Sequence, residues 1–230
     1  MALTPEQQAF ATGLIDGASC VFENADRLFY EAGVLADVNA FSRGYLLHQI
    51  SLEECGKIEM LCAAITSCLA GEDVNVKSLS RTFRRHEGKN KMNAYFLSRT
   101  EEEKSAEDDN NIAAAKDAFK KVQEDFHQES NRLKNSSLYV DFDGVFISPQ
   151  EIISKEDYEK IREMNKDFMT LASHKVKMLS LWRTDLDAAV DDIQGLKSLL
   201  IEVRQNEKSP VAALEALLEI IKKAVTKPQK

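Results

Sequence analysis

Three ionisable side chains lie on the apolar face of a predicted helix. On a helical wheel of about 100° per residue, Arg43, Glu54 and Lys57 fall on the same side as Leu47 and Leu61. Charged groups removed from water are costly unless they are paired or bind a ligand. Glu54 and Lys57 are close enough in sequence to pair with each other, whereas Arg43 needs a partner from another element. The set is either a structural ion network or a polar pocket between helices.

A second candidate site is the basic segment that contains His86. Between Lys77 and Arg99 the chain has seven basic residues and one acidic residue, Glu87, and acidic residues follow. An imidazole beside an arginine can exchange protons with a phosphodiester while the arginine holds the phosphate. Asn93 shares the predicted helix face of His86. The alternatives are a histidine used for packing and a basic helix face that is merely solvated.

The remaining histidines and the cysteines have no predicted site. His48 is expected on the solvent side of its helix, opposite the apolar stripe, and His127 and His174 have no clear partners. The four cysteines contain no Cys-x-x-Cys pair and are expected to be reduced. We therefore predict neither a zinc site nor another metal or cofactor.

Composition and charge restrict the class of protein and its partners. With 43% hydrophobic and 30% charged residues among 230, the chain is typical of a globular protein. A net charge of −8 argues against DNA binding over the whole surface, but the basic segment suits one anionic ligand. The first residues do not resemble a signal peptide, and no apolar run reaches the roughly 20 residues of a membrane span. We expect a cytoplasmic protein without membrane contact.

One motif resembles a known catalytic motif outside its usual setting. Asp141 and Asp143 follow apolar residues, as in the first motif of haloacid-dehalogenase-type phosphatases, where they would be nucleophile and general acid. That chemistry requires a parallel sheet with further catalytic residues on later strands. After Gly144 the chain has only helical periodicity, so we do not expect a phosphatase.

Hydrophobic spacing and capping signals predict a mostly helical chain. Thr4-Pro5-Glu6-Gln7 predicts the start of a helix that continues to about Val38. Asn39 is predicted to cap a second helix that ends at Gly71, and the two helices should form an antiparallel hairpin. Further helices are predicted at about 76–83, 85–99 and 111–134.

The C-terminal third begins with a break in the helical pattern. Residues 136–148 are predicted as an extended segment or small hairpin, and a long helix is predicted at about 155–204. Its apolar seam can pack within the chain or against a second copy, and a short helix is predicted at about 209–224. The predicted fold is all-α, with a helical core at 1–135, an extended segment at 136–150 and C-terminal helices at 151–230 that pack on the core or a second protomer.

Five short motifs follow one another between about residues 20 and 165. They are Ala25-Asp26-Arg27-Leu28, Arg43-Gly44-Tyr45-Leu46-Leu47, Leu52-Glu53-Glu54-Cys55-Gly56-Lys57, Phe83-Arg84-Arg85-His86-Glu87-Gly88-Lys89 and Ser137-Leu138-Tyr139-Val140-Asp141. Their order and spacing resemble the AbiV abortive-infection family. The most specific part is Glu-Glu-x-Gly-Lys followed by His-x-x-Lys.

AbiV proteins belong to the HEPN superfamily, so the resemblance implies a HEPN-like helical bundle that acts in phage defence as a homodimer. Many HEPN proteins are metal-independent ribonucleases, in which an arginine and a histidine line a cleft between protomers. Arg43 with His48 and Arg81 with His86 have the required spacing. On one continuous helix such residues diverge by about 140°, which separates the first pair, whereas the second pair flanks a predicted helix start. Thr82 departs from the Asn, Asp or His that usually follows the arginine.

The resemblance implies a role for each candidate residue. His86 is expected to act as the acid–base group, with phosphate contacts from Arg81, Arg85 and Lys89. The neighbouring polar pocket is expected to contain Arg43, Glu54, Lys57 and Asn93. The function implied is abortive infection by RNA cleavage or by a block of translation. The alternative is a non-catalytic protein of the same fold that recognises a phage protein, a nucleotide or ribosome-associated RNA.

Overall fold

The computed structural model describes residues 3–206, with the side chains of 3–95 and 97–198. Within these residues the chain forms nine α-helices and a two-stranded sheet, which confirms the all-α prediction. The helices are α1 (Pro5–Asp37), α2 (Phe41–Leu69), α3 (Val76–Arg84), α4 (His86–Asn93), α5 (Glu101–Asp108), α6 (Ile112–Ser136), α7 (Pro149–Ile152), α8 (Lys155–Thr184) and α9 (Leu186–Asn206). No helix among the described residues has both the length and the apolar character needed to cross a membrane.

Helix α2 is the central element of the bundle. It packs against α1 and α8 on two sides, and α4 and α6 cover a third side. Every residue from Ser51 to Gly56 is buried as a result, including two glutamates. A helix that is enclosed on several sides places some of its charged side chains inside the protein, where they require partners.

Two apolar clusters hold α2 in place. One contains Ile15, Ile65 and Leu179, so it joins α1, α2 and α8. The other contains Leu52 and Ile161 and lies towards the opposite end of the same three helices. Burying each such side chain contributes about 1.5–3 kcal/mol. These contacts make α2 a rigid support for the polar groups that it carries.

The turn between α1 and α2 differs from the predicted cap. The predicted capping box at Thr4 and Gln7 is confirmed at the start of α1. The prediction that Asn39 caps α2 is wrong, because Ala40 occupies the N-cap position and makes no side-chain hydrogen bond. Asn39 instead has a φ of 60°, a left-handed conformation that asparagine tolerates better than most residues. It reverses the chain so that α2 runs back along α1.

The long C-terminal helix α8 ends at Thr184 and not near Arg204. Asp185 has φ −151° and ψ 89°, and its Oδ1 accepts a hydrogen bond from the Ala188 N–H at 2.9 Å. This aspartate therefore caps α9, which packs on α2 through the first apolar cluster. The apolar spacing continues across the break, so the spacing alone predicted one helix. The helix predicted at 209–224 lies outside the described residues.

Two segments near the middle of the chain were predicted less well. The helix predicted at about 85–99 ends at Asn93 and continues as one 3₁₀ turn, Ala94–Phe96. Helix α5 was interpreted only as an acidic run. Its start has a reciprocal capping box, in which Thr100 accepts from the Glu103 N–H and Glu103 accepts from the Thr100 N–H.

The predicted extended segment is a small antiparallel hairpin. Strand β1 (Asp141–Phe142) pairs with β2 (Phe146–Ile147), and Gly144 provides the positive φ of the turn. No parallel sheet occurs within residues 3–206. Among these residues, Asp141 and Asp143 therefore lack the parallel sheet that phosphatase chemistry requires.

Candidate functional site

The most enclosed charged cluster centres on the carboxylate of Glu53 in α2, whose side chain is 2% exposed. Its Oε1 accepts a hydrogen bond from Lys134 Nζ of α6 at 2.8 Å. Its Oε2 lies 2.8 Å from Lys89 Nζ and 2.6 Å from His86 Nδ1, both on α4. One carboxylate therefore joins three helices of the bundle. We call these four residues the Glu53 cluster.

The electrostatics of the cluster keep Glu53 ionised. Burial raises the pKa of this carboxyl, but the hydrogen bonds from Lys134, Lys89 and His86 together outweigh burial. As a result, the pKa of the Glu53 carboxyl is lower than its usual value of 4.5. An ionised carboxylate is the form that accepts hydrogen bonds from all three donors at once.

This lowered pKa predicts a specific pH dependence of stability. Because the pKa is lower in the folded than in the unfolded chain, ionised Glu53 stabilises the fold above about pH 4.5, and this contribution disappears as the pH falls through the folded-state value. We therefore expect the difference in unfolding free energy between wild type and Glu53→Gln to shrink below about pH 4.5. Urea denaturation of both proteins, at a series of pH values from neutral to about pH 3, measures this difference in unfolding free energy. A difference that stays constant over this range would contradict the prediction.

His86 is the solvent-facing member of the cluster. Its side chain is 56% exposed, although Nδ1 is bonded to the buried carboxylate. A carboxylate that accepts from Nδ1–H fixes the ring orientation and leaves Nε2 with a free lone pair. This is the arrangement of an acid–base histidine held by a positioning residue.

The local sequence explains why His86 is held at this position. Helix α3 ends at Arg84, and Arg85 adopts an extended conformation before α4 begins at His86. A Cβ atom at Gly88 would lie 2.6 Å from Thr82 Cγ2, so glycine allows the first turn of α4 to pack closely against the end of α3. The predicted helix start between Arg81 and His86 is confirmed.

Gly56 explains the close contact between α2 and α4. A Cβ atom here would lie 2.7 Å from the Lys89 carbonyl oxygen and 3.0 Å from Asn93 Oδ1. Asn93 is fully buried and donates from Nδ2 to the Leu52 carbonyl at 2.7 Å. The glycine in Glu-Glu-x-Gly-Lys thus brings α4 close enough for Lys89 to reach Glu53.

The predicted polar pocket is only partly assembled. Glu54 and Lys57 pair at 2.5 Å, and Lys57 Nζ lies 5.6 Å from the centre of the Phe83 ring in α3. This pair is next to the Glu53 cluster, but it is Glu53 and not Glu54 that binds His86. Arg43 is exposed in the first turn of α2 and donates to the carbonyl groups of Ser137 and Leu138. It finds its partners outside α2, as predicted, but the prediction that it lies on the apolar face is wrong, since the residue is exposed. Its guanidinium group anchors the end of α6.

The predicted phosphate contacts fall into two groups. Arg81, Arg84 and Arg85 are exposed on α3 and at the α3–α4 junction, close in sequence to His86. Lys89 is only 6% exposed and is ion-paired with Glu53, so its ammonium group is directed inward. The arginines are the cations that a ligand at the surface can reach.

Sequence reasoning missed Glu53 and Lys134 as site residues. Glu53 was visible only as the neighbour of Glu54 in a motif, and Lys134 lies in the last turn of α6, just before Ser137.

The prediction that His48 faces solvent is wrong. It is fully buried, because α8 covers that side of α2 and Asn165 contacts its ring. Among the described residues, no group of three or more His, Cys, Asp or Glu side chains is arranged to hold a metal ion.

Comparison with known proteins identifies the family. The family model HEPN_AbiV, described as AbiV, matches residues 13–170. The curated "Uncharacterized protein y4gJ" of Sinorhizobium fredii (strain NBRC 101917 / NGR234) is 37% identical over 109 residues, 47% of this chain and 57% of that protein. The match thus spans little more than half of the relative's length. No solved structure is significantly similar. Since the family model covers well over half of the chain and includes the whole of α2, α4 and α6, the chain belongs to the AbiV family of HEPN proteins.

Proposed function

We propose that this protein acts in phage defence as a metal-independent endoribonuclease of the cytoplasm, with His86 as its acid–base residue. The observation that carries the proposal is the exposed imidazole whose Nδ1 lies 2.6 Å from the buried carboxylate of Glu53. Arg81 and Arg85 beside it can bind the non-bridging oxygens of a phosphodiester. Membership of the AbiV family supports the phage-defence role.

The proposed reaction is an internal transfer within RNA. The free Nε2 of His86 takes the proton of a ribose 2′-hydroxyl, and the 2′-oxygen attacks the adjacent phosphorus. The bond to the 5′-oxygen of the next nucleotide breaks, and that oxygen takes a proton from an imidazolium. The products are a 2′,3′-cyclic phosphate and a free 5′-hydroxyl. In the homodimer that we expect, two copies of His86 can divide the two proton transfers.

Within this proposal Glu53 and the lysines are positioning residues. Lys89 and Lys134 are both ion-paired with Glu53 and hold its carboxylate in place. Glu53 in turn holds the His86 ring in one tautomer, and its negative charge stabilises the imidazolium that forms during the reaction. Glu54 and Lys57 border the same corner of the bundle.

The test uses a DNA oligonucleotide that contains a single ribonucleotide. We expect cleavage only on the 3′ side of that ribonucleotide, with a 2′,3′-cyclic phosphate product and no loss of activity in EDTA, because the attacking group is the 2′-hydroxyl. Gel electrophoresis with and without EDTA measures the extent of cleavage, and mass spectrometry of the fragments identifies the cleavage site and the cyclic phosphate. Cleavage of the all-DNA control, or no cleavage of the chimera and of total RNA, would contradict the proposal.

A non-catalytic role is the competing proposal, and one observation favours it. The hairpin residues Tyr139, Val140, Phe142, Val145 and Phe146 are between 63% and 79% exposed. Grouped exposed apolar side chains are typical of interaction surfaces. On this view the hairpin contacts a phage protein, and the basic segment binds RNA or a nucleotide without cleaving it. Intact RNA in the assay above is the result that this role requires.

A further inference from the structure

A second histidine lies in the groove between α4 and α6, near the Glu53 cluster. The half-buried ring of His127, in α6, has its Nδ1 at 3.4 Å from the side-chain Nδ2 of Asn90 in α4. The other ring nitrogen, Nε2, forms no hydrogen bond with a described residue and is not a buried atom, so it can reach a ligand. Sequence reasoning found no partner for this histidine, because its partner comes from a different helix.

The contacts between α4 and α6 place His127 near His86. Lys134 of α6 and His86 of α4 bind the two oxygens of Glu53, so they lie opposite each other across the groove. His127 comes seven residues before Lys134, two turns along the same face of α6, and Asn90 comes one turn after His86 on α4. The two helices therefore run antiparallel, and the two histidines are separated by about 6–10 Å along the groove.

This separation suits two proton transfers at one phosphate. In the reaction proposed above, the attacking 2′-oxygen and the departing 5′-oxygen lie on opposite sides of the phosphorus. A hydrogen bond of about 2.8 Å to each oxygen requires two nitrogens about 8 Å apart. Because Nε2 of His86 takes the proton of the 2′-hydroxyl, the second group has to give a proton to the 5′-oxygen.

The surroundings of His127 suit a ring that is positively charged before it gives its proton away. Glu87 and Glu124 are both paired with Lys91, at 2.7 and 3.1 Å, so two carboxylates and one ammonium leave a net negative charge here. The hydrogen bond from Lys91 is the largest cause that lowers the pKa of Glu87, and the charge of His127 contributes. The Asn90 side chain is buried, and its Oδ1 has no partner among the described residues. Turned over, the same amide presents Oδ1 to the Nδ1–H of an imidazolium.

We propose that His127 is a second catalytic residue, which protonates the 5′-oxygen while the bond from phosphorus to that oxygen breaks. The electron pair of this bond forms the new O–H bond with the Nε2 proton of the His127 imidazolium, and the ring becomes neutral. His86, which has taken the 2′-hydroxyl proton, becomes the imidazolium, and water returns the proton before the next turnover. The inference rests on the proposed ribonuclease function. It assigns both proton transfers to one protomer, with Asn90 as the positioning residue of His127.

The experiment compares two chimeric DNA oligonucleotides that each contain one ribonucleotide. One has the natural 5′-oxygen at the scissile bond, and the other has sulfur there, which leaves as a thiolate and needs no proton. The variant is His127→Gln in the full-length protein, which keeps a polar group beside Asn90 but cannot transfer a proton. The controls are His86→Ala, which removes the base, and His174→Ala, which removes an exposed histidine from α8. Gel electrophoresis gives the initial rates, and urea denaturation shows whether each variant keeps the stability of the wild type.

We expect His127→Gln to cleave the oxygen substrate about a hundredfold more slowly than the wild type, and the sulfur substrate at close to the wild-type rate. His86→Ala should be slow on both substrates, because the 2′-hydroxyl still has to lose its proton, and His174→Ala should be slow on neither. Full activity of His127→Gln on the oxygen substrate would overturn the inference and leave the second transfer to another copy of His86. An equal loss on both substrates would also overturn it, since the loss would then not concern the leaving group. A wild type that cleaves neither substrate would contradict the proposed function itself, and this inference with it.

Discussion

The His86→Ala variant is expected to lose RNA cleavage by about a hundredfold or more while it keeps the stability of the wild type. A positioned acid–base residue contributes about 10²–10⁴-fold to such a reaction, and the variant removes that residue. The His86 side chain is more than half exposed, and Lys89 and Lys134 still neutralise Glu53 in its absence, so the fold loses little. Initial cleavage rates and a urea denaturation curve measure the two properties.

The control for this prediction is His174→Ala, which removes an exposed histidine from α8, away from the Glu53 cluster. It should cleave RNA at the wild-type rate. Added imidazole should restore part of the activity of His86→Ala, because the site is open to solvent. Full activity in His86→Ala would exclude His86 as the acid–base group. A matching loss in His174→Ala would show that the assay reports a general effect on the protein.

Replacement of Glu53 by glutamine is expected to lower the free energy of unfolding by about 3–5 kcal/mol. The change preserves the shape of the side chain but leaves the ammonium groups of Lys89 and Lys134 buried without a counter-charge. Breaking one partner of a buried ion pair has a cost of this size, because the remaining charge is uncompensated. Urea denaturation at neutral pH gives the value directly. RNA cleavage should also fall, since the His86 ring loses the carboxylate that orients it.

Glu54→Gln is the matched control, because it changes the adjacent glutamate, whose partner Lys57 is nearer to solvent. It should cost clearly less, because the Lys57 ammonium group that remains can reach water. A triple variant that combines Glu53→Leu with Lys89→Met and Lys134→Met tests the cause. If uncompensated charge produces the loss, removing all three charges should recover most of the stability. Equal losses in Glu53→Gln and Glu54→Gln would contradict the central role of Glu53.

These two predictions divide the site between stability and activity. Glu53, Lys89 and Lys134 are buried and join α2, α4 and α6, so their removal affects the fold first. His86 is the exposed end of the same network, and its removal affects chemistry first. A variant series that separates the two properties in this way distinguishes a catalytic site from an ion network that serves only the fold.

The sequence by itself determined most of the elements and their order, but not α5 or the break between α8 and α9. Local hydrogen bonds define helix starts, so the capping box at Thr4 was visible without any tertiary information. The hairpin near Gly144 was visible for the same reason, since turn residues act through their own backbone. The family motifs on α2 and α4 were also visible, because a glycine and charged residues at fixed spacing are local features of the chain.

Only the tertiary structure decided which side of α2 each polar residue faces and what it meets there. A helical wheel assumes one buried face, but α2 is enclosed by α1, α4, α6 and α8. His48 is therefore buried beside Asn165, and Glu53 is buried beside Lys134, which is 81 residues away along the chain. Helix α9 is separated from α8 by a single capping aspartate, which apolar spacing cannot reveal. Partners distant in sequence are chosen by packing, and packing is a property of the whole bundle.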